Sequence, residues 1–240
     1  MSLQNFDQGA GRSPYRPGFP IHRKRPAAVQ VYEDMRARIV SLELEPGANI
    51  SRLALVEHYN VSQTPVRDAI ILLEKESLIE VFPQSKSLVS KIDIGHARET
   101  QFLRIAFDIE VVRQLAQRGD RSALAEAKAL LGEQEIALAQ GNDLNRFRDL
   151  DRRFHLALAD AVGQRNLWHM IIARAGHIDR LRNLHLPDAG KANKILADHR
   201  RIVAAIEASD EDAAAAAVRA HLSDTLRAVA SIIEKHPHYF

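Results

Sequence analysis

The sequence predicts a mainly α-helical chain: a small three-helix unit closed by a short hairpin, then an all-helical bundle of about six helices. Three observations predict it. Residues 50–70 hold two short amphipathic segments separated only by Asn60 and Val61, and the second opens Ser62-Gln-Thr-Pro-Val-Arg67. Two short runs, Leu78-Ile-Glu-Val-Phe-Pro and Ser87-Leu-Val-Ser-Lys-Ile, follow and flank the turn Pro83-Gln-Ser-Lys. From His96 onward apolar residues recur at helical spacing, broken only by short Gly, Asp and Asn signals, with no strand pattern.

Bulk properties narrow the classes. At 240 residues the chain is long enough for two domains. Hydrophobic residues at 46% and charged ones at 27% fit a globular protein. The net charge of +2 is too small to argue nucleic-acid binding by itself, so any basic surface is local. With no cysteine there is no disulfide framework and no thiolate chemistry. No apolar run is long enough to span a bilayer, and no apolar stretch follows the basic N-terminus as in a signal peptide. The expected location is the cytoplasm, with no membrane partner.

Residues 1–26 read as a flexible basic arm, because Gly9, Gly11, Pro14, Pro17, Gly18, Pro20 and Pro26 leave little room for helix. Its closing cluster, His22-Arg23-Lys24-Arg25, fits both a solvated tail and an arm touching phosphates. A first helix spans about Ala27–Leu42, with Val31, Met35, Ile39 and Leu42 on one face. Pro46-Gly47 closes the connection after it. In the second segment of the pair Val66, Ile70 and Leu73 form the inward stripe. Three helices plus a hairpin over 27–92 make a winged helix-turn-helix. Asp93-Ile94-Gly95 reads as a linker. Over 96–235 the breaks delimit helices at about 96–118, 121–140, 142–162, 165–185, 190–208 and 210–235.

A helix that enters the major groove of double-stranded DNA needs polar side chains near its N-terminus. Ser62 is placed to cap that helix with its hydroxyl. Gln63 and Thr64 point toward the groove, Gln63 with the fork for a bidentate contact to adenine, and Arg67, a turn further on, reaches a guanine edge or a phosphate. Arg52 and Lys75 are candidate phosphate partners. The bland alternative is a capped surface helix.

A second constellation lies in the bundle. On the 142–162 helix the stripe Leu144, Phe147, Leu158, Val162 has Asp151 and His155 at its middle, one turn apart on one face. His199 fills the gap in the stripe Ile195, Ile202, Ile206, and His221 shares a face with Ala217, Val218, Thr225 and Ala228. Polar groups in core-facing stripes cost free energy unless paired. The chain has 11 histidines, and each of these singly fits a hydrogen-bonded core residue. Four at once on inward faces fit a divalent transition metal, zinc first, with nickel, iron or manganese as alternatives.

Residues 27–92 resemble the winged helix-turn-helix of GntR-type bacterial transcription regulators, through Pro46-Gly47, the helix beginning at Ser51 and Ser62-Gln-Thr-Pro-Val-Arg-Asp-Ala-Ile70 followed by Leu73-Glu74. The usual form of that core is Ser-Arg-Thr-Pro-Val-Arg-Glu-Ala-Leu. Gln63 stands where that family commonly has a guanine-reading Arg, Ser77 where a Gly usually ends the recognition helix, and Lys86 where the wing tip usually has Gly. The resemblance therefore puts wing insertion in question and leaves Lys86 as a phosphate contact. Asp151-Arg-Arg-Phe-His155, Asp198-His199-Arg200 and Ala220-His221-Leu222 resemble the metal-bearing segments of the FCD ligand domain in the FadR-like branch of these regulators. Arg104 through Glu110 resembles the first helix of that domain.

The resemblance implies a homodimeric regulator, not an enzyme, with a metal and a small-molecule effector, often a carboxylate, inside the bundle. Repression relieved by effector is the commoner sense. Arg104 would pair the effector carboxylate if it faces the cavity; a surface salt bridge fits it equally. Two competing readings stay open: a metal-dependent enzyme built on the same Asp/His set, and a regulator whose metal is purely structural.

Overall fold

The computed structural model describes residues 19–83, 85–141 and 143–240. It divides into two compact units, one within Met1–Ile39 and Glu43–Ser90, the other made of Val40–Leu42 and Lys91–Phe240.

The first unit begins with α1, Ala27–Val40. Val31, Met35 and Ile39 recur every four residues and are fully buried. The helix stops two residues before its expected end, since Leu42 adopts a left-handed φ of 66°. Then come α2 (Arg52–Tyr59) and α3 (Gln63–Lys75). Asn60 takes the left-handed conformation at the end of α2, which lets the chain turn into α3 within three residues. Val66, Ala69, Ile70 and Leu73 are the buried stripe of α3. Leu73 is fully buried in the core with Leu55, Tyr59 and Val31, so Leu73→Ala is expected to destabilise this unit by about 2–5 kcal/mol in urea denaturation.

Ser77 follows α3 with φ 59°, a position that favours glycine. The turn is held by Ser77 N–H to Glu74 O (2.9 Å), Leu78 N–H to Leu73 O (2.9 Å) and the Ser90 hydroxyl donating to Ser77 O (2.6 Å). The hairpin pairs β1 (Ile79–Val81) with β2 (Ser87–Val89) antiparallel, Ile79 opposite Val89. Residues 47–50 line the other side of β2 through Gly47 N–H to Val89 O and Ile50 N–H to Ser87 O, both 2.8 Å. Gly47 there has φ 86°, which explains the glycine after Pro46. The winged helix-turn-helix is thus present.

Part of the expected free arm is docked. Phe19 meets Tyr59 edge-on, with ring centroids 5.4 Å apart, and Ile21 packs on the same core. Gln30 exchanges hydrogen bonds with the His22 backbone, and Arg25 pairs with Glu33 at 2.7 Å. Residues 1–18 lie outside the described residues.

The second unit contains α4 (Ile94–Arg118), a 3-10 turn Arg121–Leu124, α5 (Ala125–Ala139), α6 (Leu144–Ala161), α7 (Arg165–Ala173), α8 (Gly176–His185), α9 (Lys191–Glu207), α10 (Glu211–Arg227), α11 (Val229–Lys235) and a 3-10 turn Pro237–Tyr239. Asp93, Asp143 and Asp210 cap α4, α6 and α10 by accepting an N–H with their side chains. Two of the six expected helices are each split in two. The 165–185 stretch breaks at Arg174–Ala175, where N–H groups bond three residues back instead of four, just before the poor helix former Gly176. The 210–235 stretch breaks at Ala228 with no glycine or proline to cause it. Both breaks feed one satellite core of Ala175, Ile178, Leu181, Val229, Ile232 and Tyr239. The main core gathers Val112, Phe147, Leu150, Phe154, Ile202, Ala214 and Val218, from α4, α6, α9 and α10.

Candidate metal centre and DNA-reading helix

The α3 helix turns its apolar stripe inward and leaves Ser62, Gln63, Thr64 and Arg67 exposed. Gln63 and Arg67 are four residues apart and lie one above the other on that outer face. Arg52, Lys75 and Lys86 are also exposed, and the Lys86 ammonium stands 5.5 Å from the centre of the Phe82 ring.

Ser62 occupies the cap position with an extended φ/ψ of −69° and 172°, but its hydroxyl makes no capping hydrogen bond. The expected cap is therefore one of backbone conformation only. By contrast Ser51 accepts the Ala54 N–H at 3.3 Å. Ser51→Ala is expected to cost about 1 kcal/mol of unfolding free energy. Ser62→Ala should cost under about 0.5 kcal/mol, and an equal loss in the two variants would refute this difference.

In the second unit Asp151 and His155 come from α6, His199 from α9 and His221 from α10. Their donor atoms lie within 4.8 Å of one another. The amphipathic stripes of three helices bring them together, because each residue takes the place of an apolar one in a face that must be buried. His199 is fully buried, with its ring stacked on Phe154 at 4.2 Å. His155 Nε2 and His221 Nε2 approach to 3.2 Å, and His199 Nε2 lies 3.4 Å from Asp151 Oδ1.

Two of the opposite ring nitrogens are held from behind, and the third has a carboxylate just beyond hydrogen-bond reach. His155 Nδ1 faces Asp108 Oδ2 at 3.2 Å, His199 Nδ1 meets Gln134 Oε1 at 3.0 Å, and His221 Nδ1 lies 3.6 Å from Asp198 Oδ2. An ionised carboxylate or an amide oxygen only accepts, so the neighbours of His155 and His199 favour a proton on Nδ1 and leave their Nε2 lone pairs facing inward, whereas His221 Nδ1 is buried without a hydrogen-bond partner. His199 Nε2 is buried without a hydrogen-bond partner. A buried orphan of this kind is costly unless something binds it. Three imidazoles, two of them backed in this way, plus one carboxylate make a donor set that could hold a divalent metal, and the residues fit such an ion.

Electrostatics agree with ligand-ready groups. Burial pushes the His221 imidazole down to about 3, aided by its neighbouring histidines and opposed by Asp198. Burial, then Arg104, lowers His155 against the pull of Asp108. Burial works against the Asp151 carboxylate, but the His199 contact and the surrounding imidazoles outweigh it and hold the group below the usual range. Asp198 is held low in the same sense: burial is outweighed by His221, Lys194 and Arg201.

Arg104 is neither exposed nor in a surface salt bridge, which removes that alternative. It is buried, its Nε sits 2.9 Å from both oxygens of Asp108, and its guanidinium stacks over Trp168 at 4.0 Å. Its Nη1 and Nη2 make no hydrogen bond among the described residues. Val111, Val112, Leu158 and Val218 wall the space beside Asp108 and His155.

Sequence reasoning missed Asp108, Gln134 and Trp168 as parts of this site, and named Asp198 only within the segment Asp198-His199-Arg200. Asp108 is one turn from Arg104 and Asp198 adjoins His199, so a signal existed for both. Gln134 and Trp168 sit on other helices with nothing local to mark them.

A winged helix-turn-helix followed by a helical domain with a largely buried Asp/His cluster defines the class of a two-domain DNA-binding regulator. The family comparisons place it: the chain belongs to the GntR family of bacterial regulatory proteins, matched over residues 27–89, and carries an FCD domain, matched over residues 99–224. It is a transcriptional regulator of that type. It is 36% identical over 208 residues to an HTH-type transcriptional regulator in an unstable DNA locus of Streptomyces ambofaciens, covering 85% of this chain and 84% of that one. It is 29% identical over 220 residues to the HTH-type transcriptional repressor RspR of Escherichia coli, covering 92% of this chain and 96% of that one. The solved structure of E. coli McbR/YncC shares the fold, with a TM-score of 0.70 at 21% identity over 88% of this chain and 98% of that one. No described helix is long and apolar enough to cross a membrane.

Proposed function

We propose that this chain is a homodimeric repressor whose grip on a double-stranded operator is set by a small carboxylate effector bound beside a divalent metal, with no catalytic role. The observation that carries the proposal is the convergence of Asp151, His155, His199 and His221 with an orphaned buried imidazole nitrogen among them. Three nitrogen donors and one oxygen favour zinc, with nickel, iron or manganese as the other candidates. Asp151, His155, His199 and His221 would hold the ion, which would supply positive charge and Lewis acidity toward effector oxygens.

The protein's own groups do the rest. The buried Arg104 fork, its Nη atoms free of hydrogen bonds among the described residues, takes the effector carboxylate where the shielding from water makes such a pair strong. On DNA, Gln63 and Arg67 read base edges, Ser62 and Thr64 approach the groove, and Arg52 and Lys86 meet phosphates. A dimer places two α3 helices in successive major grooves of a pseudo-palindromic site. Exposed apolar residues on α4 (Phe102, Leu103) and α7 (Leu167, Met170) support a second copy as partner.

Metal analysis combined with a thermal-shift screen of small carboxylates tests the reading. Zinc uptake is expected at one ion per chain. A matching carboxylate should raise the melting temperature of the zinc form and lower operator affinity in a gel shift. Zinc uptake with no carboxylate effect would leave a structural metal and sink the sensor.

A further inference from the structure

Among the described residues, Asp108 is the carboxylate in direct contact with both Arg104 and a histidine of the cluster. It lies on α4, one turn beyond Arg104, and is buried. Arg104 Nε is 2.9 Å from its two oxygens, and His155 Nδ1 on α6 is 3.2 Å from Oδ2. An Arg–Asp pair one turn apart on a single helix needs no third member. Here the same oxygen also reaches across to a second helix.

The consequence is chemical. An ionised carboxylate only accepts hydrogen bonds, so a neutral His155 facing it keeps its proton on Nδ1. That leaves Nε2 as the lone pair directed at the cluster, where it meets His221 Nε2 at 3.2 Å. Were Asp108 absent, either tautomer would be open to His155, and one of them would put N–H where a cation needs a lone pair.

We propose that Asp108 is the positioning residue that selects Nε2 of His155 as a metal-ligand atom, and that Arg104 draws on the same carboxylate, so that the cation site and the guanidinium are coupled through it. The inference rests on the metal reading above and adds a route of regulation to it. An anion that engages Arg104 loosens its hold on Asp108, and Asp108 then serves His155 more fully. By linkage, an anion on Arg104 and a cation at the cluster strengthen each other.

The test compares zinc affinity, by chelator competition, in full-length wild type, Asp108→Asn and Arg104→Gln. Asp108→Asn is expected to weaken zinc about ten- to hundredfold. Arg104→Gln should tighten it at least about twofold, because Asp108 then serves His155 alone and a nearby positive charge is gone. A merely structural ion pair would shift both variants the same way, since breaking either side strands the other charge. Shifts of the same sign overturn the proposal, and so does an Asp108→Asn variant whose zinc affinity is unchanged.

A second measurement needs no variant. Long-range 1H–15N spectra of the metal-free wild type are expected to show the His155 proton on Nδ1, and finding it on Nε2 overturns the proposal. A wild type that takes up no zinc, yet keeps that tautomer, overturns the metal reading and the ligand-selecting role with it.

Discussion

His199→Ala is expected to abolish metal uptake. His199 is the most enclosed of the four cluster residues, and its Nε2 is the buried nitrogen facing Asp151 at 3.4 Å. Its Nδ1 is already satisfied by Gln134, so the ring has one free task. Changing a residue behind a ligand costs about ten- to hundredfold in metal affinity, and removing the ligand itself should exceed that. Alanine also leaves a cavity against Phe154, so a lower melting temperature alone proves nothing. The informative quantity is the zinc-dependent gain. Wild type at about a hundred times its dissociation constant should gain about 2.7 kcal/mol. For a chain of this size that is on the order of 5–10 °C. The variant should gain none at the same zinc concentration. Equal metal content in wild type and His199→Ala would remove the ion from this cluster.

Arg67→Ala is expected to weaken operator binding about ten- to hundredfold, from the loss of about 1–3 kcal/mol at one good base contact. The side chain stands exposed on the outer face of α3, and the helix is anchored by Val66, Ile70 and Leu73, so the fold should survive. The salt dependence separates the two roles open to Arg67. A phosphate contact would lower affinity evenly across sequences and reduce the salt slope by about one. A base contact would relax the preference at one position of each half-site and leave the slope nearly unchanged. Unchanged affinity in a gel shift would remove α3 as the reading helix. Gln63, four residues earlier, shares that face, and Gln63→Arg should move the preference toward guanine.

The helical character and the winged helix-turn-helix were legible because they are local patterns. Val31, Met35 and Ile39 recur with the helical period, and Asn60-Val-Ser62 is a stop followed by a start. The four cluster residues were legible for the same reason: His199 interrupts the Ile195, Ile202, Ile206 stripe, and a polar residue in an apolar stripe is visible without coordinates. Their inward faces do not reveal which nitrogen points where. The Ser62 hydroxyl illustrates the limit within one turn of helix, since its residue type suits a cap while its rotamer makes no cap bond.

The sequence by itself determined the order of elements, the polar outer face of α3 and the four residues able to gather around an ion. Each of these depends on spacing over a few residues, which the helical period sets. Only the tertiary structure decided the partners behind them: Gln134 behind His199, 65 positions away, and Asp108 shared between Arg104 and His155. It also decided the helix break at Ala228, where no glycine or proline marks the chain and the pull comes from packing Val229 and Ile232 beside Ile178 and Leu181. These contacts join distant segments, and no local periodicity encodes which face of one helix will meet which face of another. In this protein that pairing is what turns four polar interruptions in apolar stripes into one largely buried donor set.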